Sequence, residues 1–146
     1  MYKSSLFDEK TFYGAFLIDL EASQKEVIIE SPFITSERMK TLWPRLRGLI
    51  KRGVKVYIVT RDPREHTEGY EDQSEVQIQE LEAVGIQVFL CRGNHHRKLA
   101  IIDRNVLWEG SLNILSQMKS REFMRRLEGG GFAGDLFHFI GYEKYL

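Results

Sequence analysis

One stretch of the chain gathers side chains able to work on a phosphate: His96-Arg97-Lys98-Leu99-Ala100-Ile101-Ile102-Asp103, followed by Gly110-Ser111-Leu112-Asn113. The apolar, β-branched centre of the first segment predicts a strand over 98–103. Strand alternation then puts His96 and Lys98 on one face. An ammonium beside an imidazole suits a phosphate: the cation neutralises oxygen charge while the ring attacks phosphorus or donates a proton. A second strand over 106–109 leads into Gly110-Ser111, where small residues admit a ligand and bare backbone N–H groups can donate. Ser111 and Asn113 add side-chain donors on one face. His95 falls on the opposite face from His96 and reads as a bystander.

The pattern H-x-K-x4-D with G-S-x-N shortly after resembles the signature of the phospholipase D superfamily. Six fixed positions would match by chance in a chain this size about once in a million. The upstream layout is similar too, with a strand leading into Ser31-Pro32-Phe33, a helix, a strand, a helix and a short strand. The resemblance covers nearly the whole chain, from about Phe7 onward. It implies a histidine that attacks phosphorus to give a phosphohistidine, a second histidine that protonates the leaving oxygen, and no metal or other cofactor. On this resemblance His96 is the nucleophile and, in the other motif copy, the general acid and base. Lys98 and Asn113 bind the phosphate, Ser111 assists, and Asp103 holds the motif loop without touching substrate. Glu122, in Ser120-Arg121-Glu122, matches the family's acidic residue that holds the other ring nitrogen of the histidine. Only one copy is present, since none of His66, His95 and His138 has a lysine two residues on. The second copy is expected from another chain, in a two-fold homodimer.

The rest of the chain must position these groups. At 146 residues, 42% of them hydrophobic, it fits one domain over 1–146, able to bury a core or to serve as a module of a larger protein. Asp8 can cap a helix with Phe12, Phe16, Leu17 and Leu20 inward. A strand is expected over 26–34. Ser36 opens a helix stopped by Gly53, with Pro44 predicting a kink or a break. A second strand over 54–60 precedes a long exposed loop over 61–73. Ser74 and Gln77 read as a capping box for a helix ending at Gly85, before a strand over 87–91. Residues 121–127 suggest a further strand, Gly129-Gly130-Gly131 a flexible break, and 135–145 a closing helix. Strands alternating with helices predict an α/β layered domain around a mixed sheet.

Composition narrows the function. Net charge is zero, with 21 basic and 21 acidic residues, so no global field draws the protein onto nucleic acid. The charges are segregated, however. From Arg38 to Arg61 there is no acidic residue, and from Glu65 to Glu82 no Lys or Arg. The basic run reads equally as solvated surface or as a phosphate track. Cys91, the only cysteine, excludes an internal disulfide and a thiolate zinc cluster. No apolar run is long enough to span a bilayer, so the expected compartment is the cytoplasm. A nuclease acting on DNA ahead of RNA is the leading function. A phospholipase or phosphatidyl transferase, and a catalytically idle DNA-binding or dimerising module, are the alternatives.

Overall fold

The computed structural model describes residues 1–66, 70–116, 119–144 and 146, Tyr70 by its backbone alone. Glu68 and Gly69 of the expected loop, and Tyr145 of the closing helix, lie outside the described residues. Seven strands form one sheet: β1 (Tyr2–Asp8), β2 (Glu26–Glu30), β3 (Lys55–Arg61), β4 (Gln87–Cys91), β5 (Leu99–Ile102), β6 (Val106–Gly110) and β7 (Phe123–Gly129). Their order across the sheet is β1-β7-β6-β5-β2-β3-β4. β2, β3 and β4 run parallel, and the other neighbours pair antiparallel. Helices α2 (Ser36–Lys51) and α3 (Tyr70–Ala83) make the two crossovers that parallel strands require.

Strand alternation sends side chains to both faces, and both faces are buried. Val27, Ile29, Ala100, Ile102 and Trp108 pack with α1 (Phe12–Ala22), α2 and α3 through Phe16, Leu42 and Leu81. Ile28, Leu99, Ile101 and Leu107 pack on the other face, against Phe137 of α4 (Phe132–Ile140) and Tyr142 of the closing 3₁₀ turn. The chain is thus a three-layer α/β domain with a mixed sheet, as the alternation of elements predicts. Trp43 and Trp108 are both buried in the first layer.

Several boundaries differ from expectation for identifiable reasons. β1 pairs along its whole length with β7, from Tyr2 opposite Gly129 to Asp8 opposite Phe123. Its side chains are mostly exposed, so no apolar alternation marks it as a strand. Pro44 does not break α2: it is exposed, as is Lys40, whose carbonyl loses its helical partner. α3 begins at Tyr70 rather than at Ser74, so the capping-box reading is wrong. Ser74 and Gln77 instead face inward, with Gln77 Oε1 accepting from Trp43 Nε1 at 3.2 Å. Gly129, Gly130 and Gly131 are an ordered turn, with φ of 76°, 69° and 77°, and α4 starts directly after it.

Candidate active site

The antiparallel pairing of β5 with β6 sets Leu99 opposite Glu109, so the start of one strand and the end of the other meet at one edge of the sheet. Glu30, the last residue of β2, pairs with Leu99 at the same edge. In the parallel part of the sheet this is the carboxyl end of the strands, the usual place for a ligand crevice in an open α/β sheet. A cleft of about 600 Å³ opens there, lined by His96, Lys98, Ser111, Phe123, Arg125 and Leu136 among others.

His96 and Lys98 lie in the segment leading into β5 rather than on the strand. His96 is exposed, and Phe33 of the Ser31-Pro32-Phe33 loop sits edge-on to its ring, the centroids 6.3 Å apart. Lys98 is half-buried and its ammonium donates to the His96 carbonyl oxygen at 2.7 Å. Burial pushes the Lys98 pKa below the ordinary lysine value, and the Glu122 carboxylate opposes that shift. The lysine is therefore bound to the backbone of the residue it is expected to assist.

Gly110 has a different reason from the one its small size suggested. A Cβ there would lie 2.2 Å from the Phe123 carbonyl oxygen and 2.9 Å from Met124 Cα, so the glycine admits the β7 backbone. Ser111 extends the same junction. Its N–H donates to the Phe123 carbonyl at 3.0 Å, and its Oγ accepts from the Phe123 N–H at 3.1 Å.

Asn113 lines a narrow crevice with Glu9, Tyr13, Arg38 and Glu122. Loop 112–116 is held from two sides. Ser31 Oγ accepts from the Leu115 N–H at 3.1 Å, and Tyr13 OH donates to the Ile114 carbonyl at 2.6 Å. The Arg38 guanidinium lies over the Tyr13 ring at 3.6 Å. Glu122 Oε1 accepts from Ser120 Oγ at 2.8 Å. Among the described residues the side chain of Glu122 engages Ser120 and, through charge, Lys98; it has no hydrogen bond to His96.

Asp103 stands at the far end of β5, away from the cleft. Its carboxylate accepts from the backbone N–H groups of Gln24, Lys25 and Glu26 at 3.0, 2.8 and 3.0 Å. Its φ of 53° is in the left-handed region that Asp tolerates better than most residues. Burial works against its charged form, but those three hydrogen bonds outweigh it and hold the carboxyl below the ordinary 3.8. Asp103→Asn keeps the backbone preference and removes the charge. It should lose about 1–2 kcal/mol of stability at pH 7, as hydrogen bonds to a charged acceptor do. Because the folded-state pKa is depressed, this contribution exists above the ordinary value and is lost as pH falls through the folded one. Urea unfolding at pH 7 and at pH 3 checks both, and the gap between the two proteins should narrow in acid.

The basic run is largely committed within the chain. Arg45 pairs with Glu21 at 3.0 Å, and Arg52 Nη2 donates to the Ser23 carbonyl at 3.0 Å. Arg47 lies over Trp43, and Arg61 pairs with Glu65. The cations that line the cleft are Arg97, Lys98 and Arg125. Of these only Lys98 was singled out by its motif; Arg125 carries no local signal beyond the alternation of β7. Cys91 is a half-buried free thiol whose pKa burial raises, as an inert cysteine requires. No helix among the described residues is long and apolar enough to cross a membrane, and no three His, Cys, Asp or Glu side chains converge as a metal set.

The family described as "Cardiolipin synthase, PLD-like domain" matches residues 16–124. No curated protein sequence matches the chain. Among solved structures, NucT from Helicobacter pylori superposes with a TM-score of 0.74 at 18% identity, over 99% of this chain and 95% of that one. Nuc from Salmonella typhimurium, a phospholipase D family member, gives 0.75 at 19%, over 95% and 91%. Phosphatidylserine synthase from Haemophilus influenzae gives 0.73 at 14%, over 99% of this chain and 38% of that one. At such identities the superpositions speak for the fold, and the family match speaks for descent. With that match covering well over half of its 146 residues, the chain belongs to the phospholipase D superfamily.

Proposed function

We propose that this protein is a metal-independent phosphodiesterase that cleaves nucleic acid, DNA ahead of RNA, in a site shared by two subunits. The observation that carries the reading is the cleft itself, where an exposed imidazole, a half-buried ammonium and a serine hydroxyl share one opening. Asn113 and Glu122 stand in the adjoining crevice. In the reaction His96 attacks phosphorus and the ester P–O bond breaks. The leaving oxygen takes a proton from the partner subunit's His96. Water then opens the P–N bond and returns its proton to that same ring, which restores both histidines. Lys98 carries the charge that builds on the phosphoryl oxygens, with Ser111 and Asn113 as further donors. Asp103 supports the segment from its far end.

Two of the superposed structures bear the names Nuc and NucT, and they are similar to this chain over nearly their whole length, which supports the nuclease reading. The family description and the phosphatidylserine synthase superposition favour phosphatidyl transfer as the second reading. A panel of single-stranded DNA, duplex DNA, RNA and phosphatidylcholine vesicles, each with excess chelator and with a His96→Ala control, separates them. The expected result is cleavage of nucleic acid that survives chelation and whose substrate binding weakens as salt rises, because phosphate contacts release counterions. Vesicle hydrolysis without nuclease activity would select the lipid reading. Turnover restored only by added magnesium or zinc would reject the mechanism.

A further inference from the structure

Beside the cleft lies a group that the phosphoryl-transfer scheme does not use. Glu30 ends β2 with its side chain wholly buried, on the same sheet face as Ile28 and within the layer that holds Tyr142. A bare carboxylate in such a layer is heavily penalised unless it is paired and hydrogen-bonded. Here the pairing comes from two directions. Tyr142, in the closing 3₁₀ turn, donates its hydroxyl to Oε2. Arg97 donates Nε to Oε1 at 3.0 Å, and His95 Nε2 lies 2.7 Å from the same oxygen. Burial disfavours the charge of Glu30, but the groups around it prevail and keep its pKa below the ordinary value.

His95 and Arg97 are the two sequence neighbours of His96. Arg97 is hydrogen-bonded to one fixed oxygen and His95 Nε2 lies against the same atom, so the peptide that carries His96 is held on either side of it. Lys98 then bonds back to the His96 carbonyl at 2.7 Å and closes the segment on itself. The segment is otherwise irregular backbone before β5, with left-handed turns at Gly93 and Asn94 just upstream. Beyond these ties, the ring's described contact is the edge of Phe33, and Glu65 accepts from the Gly93 and Asn94 N–H groups upstream.

We infer that Glu30 is a positioning residue for phosphoryl transfer: its buried carboxylate clamps His95 and Arg97 and thereby aims His96 into the cleft. It touches no reacting atom. The inference rests on the proposed role of His96, so the test carries a readout that does not need turnover. Glu30→Gln preserves size and removes charge. With the nucleic-acid substrate, its kcat should fall roughly ten- to hundredfold while KM stays within a few-fold, as expected when alignment rather than binding is lost. In the same protein the His96 ring signal, assigned by comparison with His96→Ala in a ¹H–¹³C NMR spectrum, should shift and broaden. Inorganic phosphate added to the NMR sample should bind several-fold more weakly.

His95→Ala removes one of the segment's two contacts to Glu30 and leaves β2 intact, which guards against a Glu30 variant that fails to fold. It should lower kcat in the same direction, and the double variant should be no slower than Glu30→Gln alone, as for two residues acting through one contact. Folded Glu30→Gln with wild-type kcat and an unchanged His96 signal would overturn the inference. So would a loss of rate that only tracks the fraction unfolded at the assay temperature. If wild type cleaves none of the substrates, the catalytic reading fails. The NMR comparison then still decides whether Glu30 orders His96.

Discussion

His96→Ala should fold like wild type and lose turnover by on the order of 10⁴-fold or more, the scale seen when a catalytic nucleophile is removed. Folding should be spared because the ring is exposed and its described packing is the edge contact with Phe33. The loss should exceed the effect of deleting one charge-stabilising donor, since the proposed covalent bond forms on this ring. The proposed sharing of the site between two subunits sharpens the test. In a shared site one His96 attacks while the other donates a proton, so a mixed dimer lacks one of the two. Mixing His96→Ala with wild type should therefore leave heterodimers nearly inactive rather than half active. A strict monomer with full activity at nanomolar concentration would contradict this. The adduct itself can be caught. Phosphoramidates are labile in acid and persist in base, so an alkaline quench during turnover of a labelled substrate should leave label on His96. Net retention at phosphorus in a chiral phosphorothioate would show two displacements, and inversion would show direct attack by water.

The grouping of the candidate residues in one cleft was legible because it is local. His96, Lys98 and Ser111 lie within sixteen residues, and the short β5–β6 hairpin that joins them brings them to one cleft. Asp103 was legible as a structural residue for a similar reason, though the three N–H groups it serves come from residues 24–26. What escaped notice was non-local. β1 exists because β7 offers it a free edge, and its own polar sequence YKSSLFD gives no strand signal. Ser74 and Gln77 have the spacing of a cap, but tertiary packing places them against Ile34 and Trp43. The basic run from Arg38 to Arg61 looked like one surface. In the fold its arginines turn to separate acidic, aromatic and carbonyl partners. Glu30 did leave a trace: a carboxylate two residues after Ile28, where strand alternation demands an apolar side chain. A charge on a buried face is the kind of local inconsistency that marks function or a paired network.

Lys98→Ala should slow the chemical step by on the order of 10²-fold or more, by analogy with deleting an oxyanion-hole donor. The charge it carries is needed most in the transition state, when negative charge on the phosphoryl oxygens is greatest. Its position favours a large effect for two reasons. The ammonium is half-buried, so its field is screened less than that of a surface lysine. It is also held by the His96 carbonyl at 2.7 Å, so little reorganisation is needed when substrate arrives. The result should appear in kcat more than in KM, and Lys98→Arg should recover only part of it, because a planar fork cannot replace a compact ammonium on that carbonyl. Burial also leaves a mark on pH dependence. Loss of the donating imidazolium proton sets the first alkaline limb, and a lysine with a depressed pKa adds a second fall in rate at lower pH than a free lysine would. Glu122 opposes that depression, and Glu122→Gln should move that second fall further toward neutrality. Rate against pH for wild type, Lys98→Ala and Glu122→Gln measures all of this together. Wild-type rates in Lys98→Ala would mean that the phosphate sits elsewhere. A second alkaline fall unmoved in Glu122→Gln would separate Glu122 from the charge of Lys98.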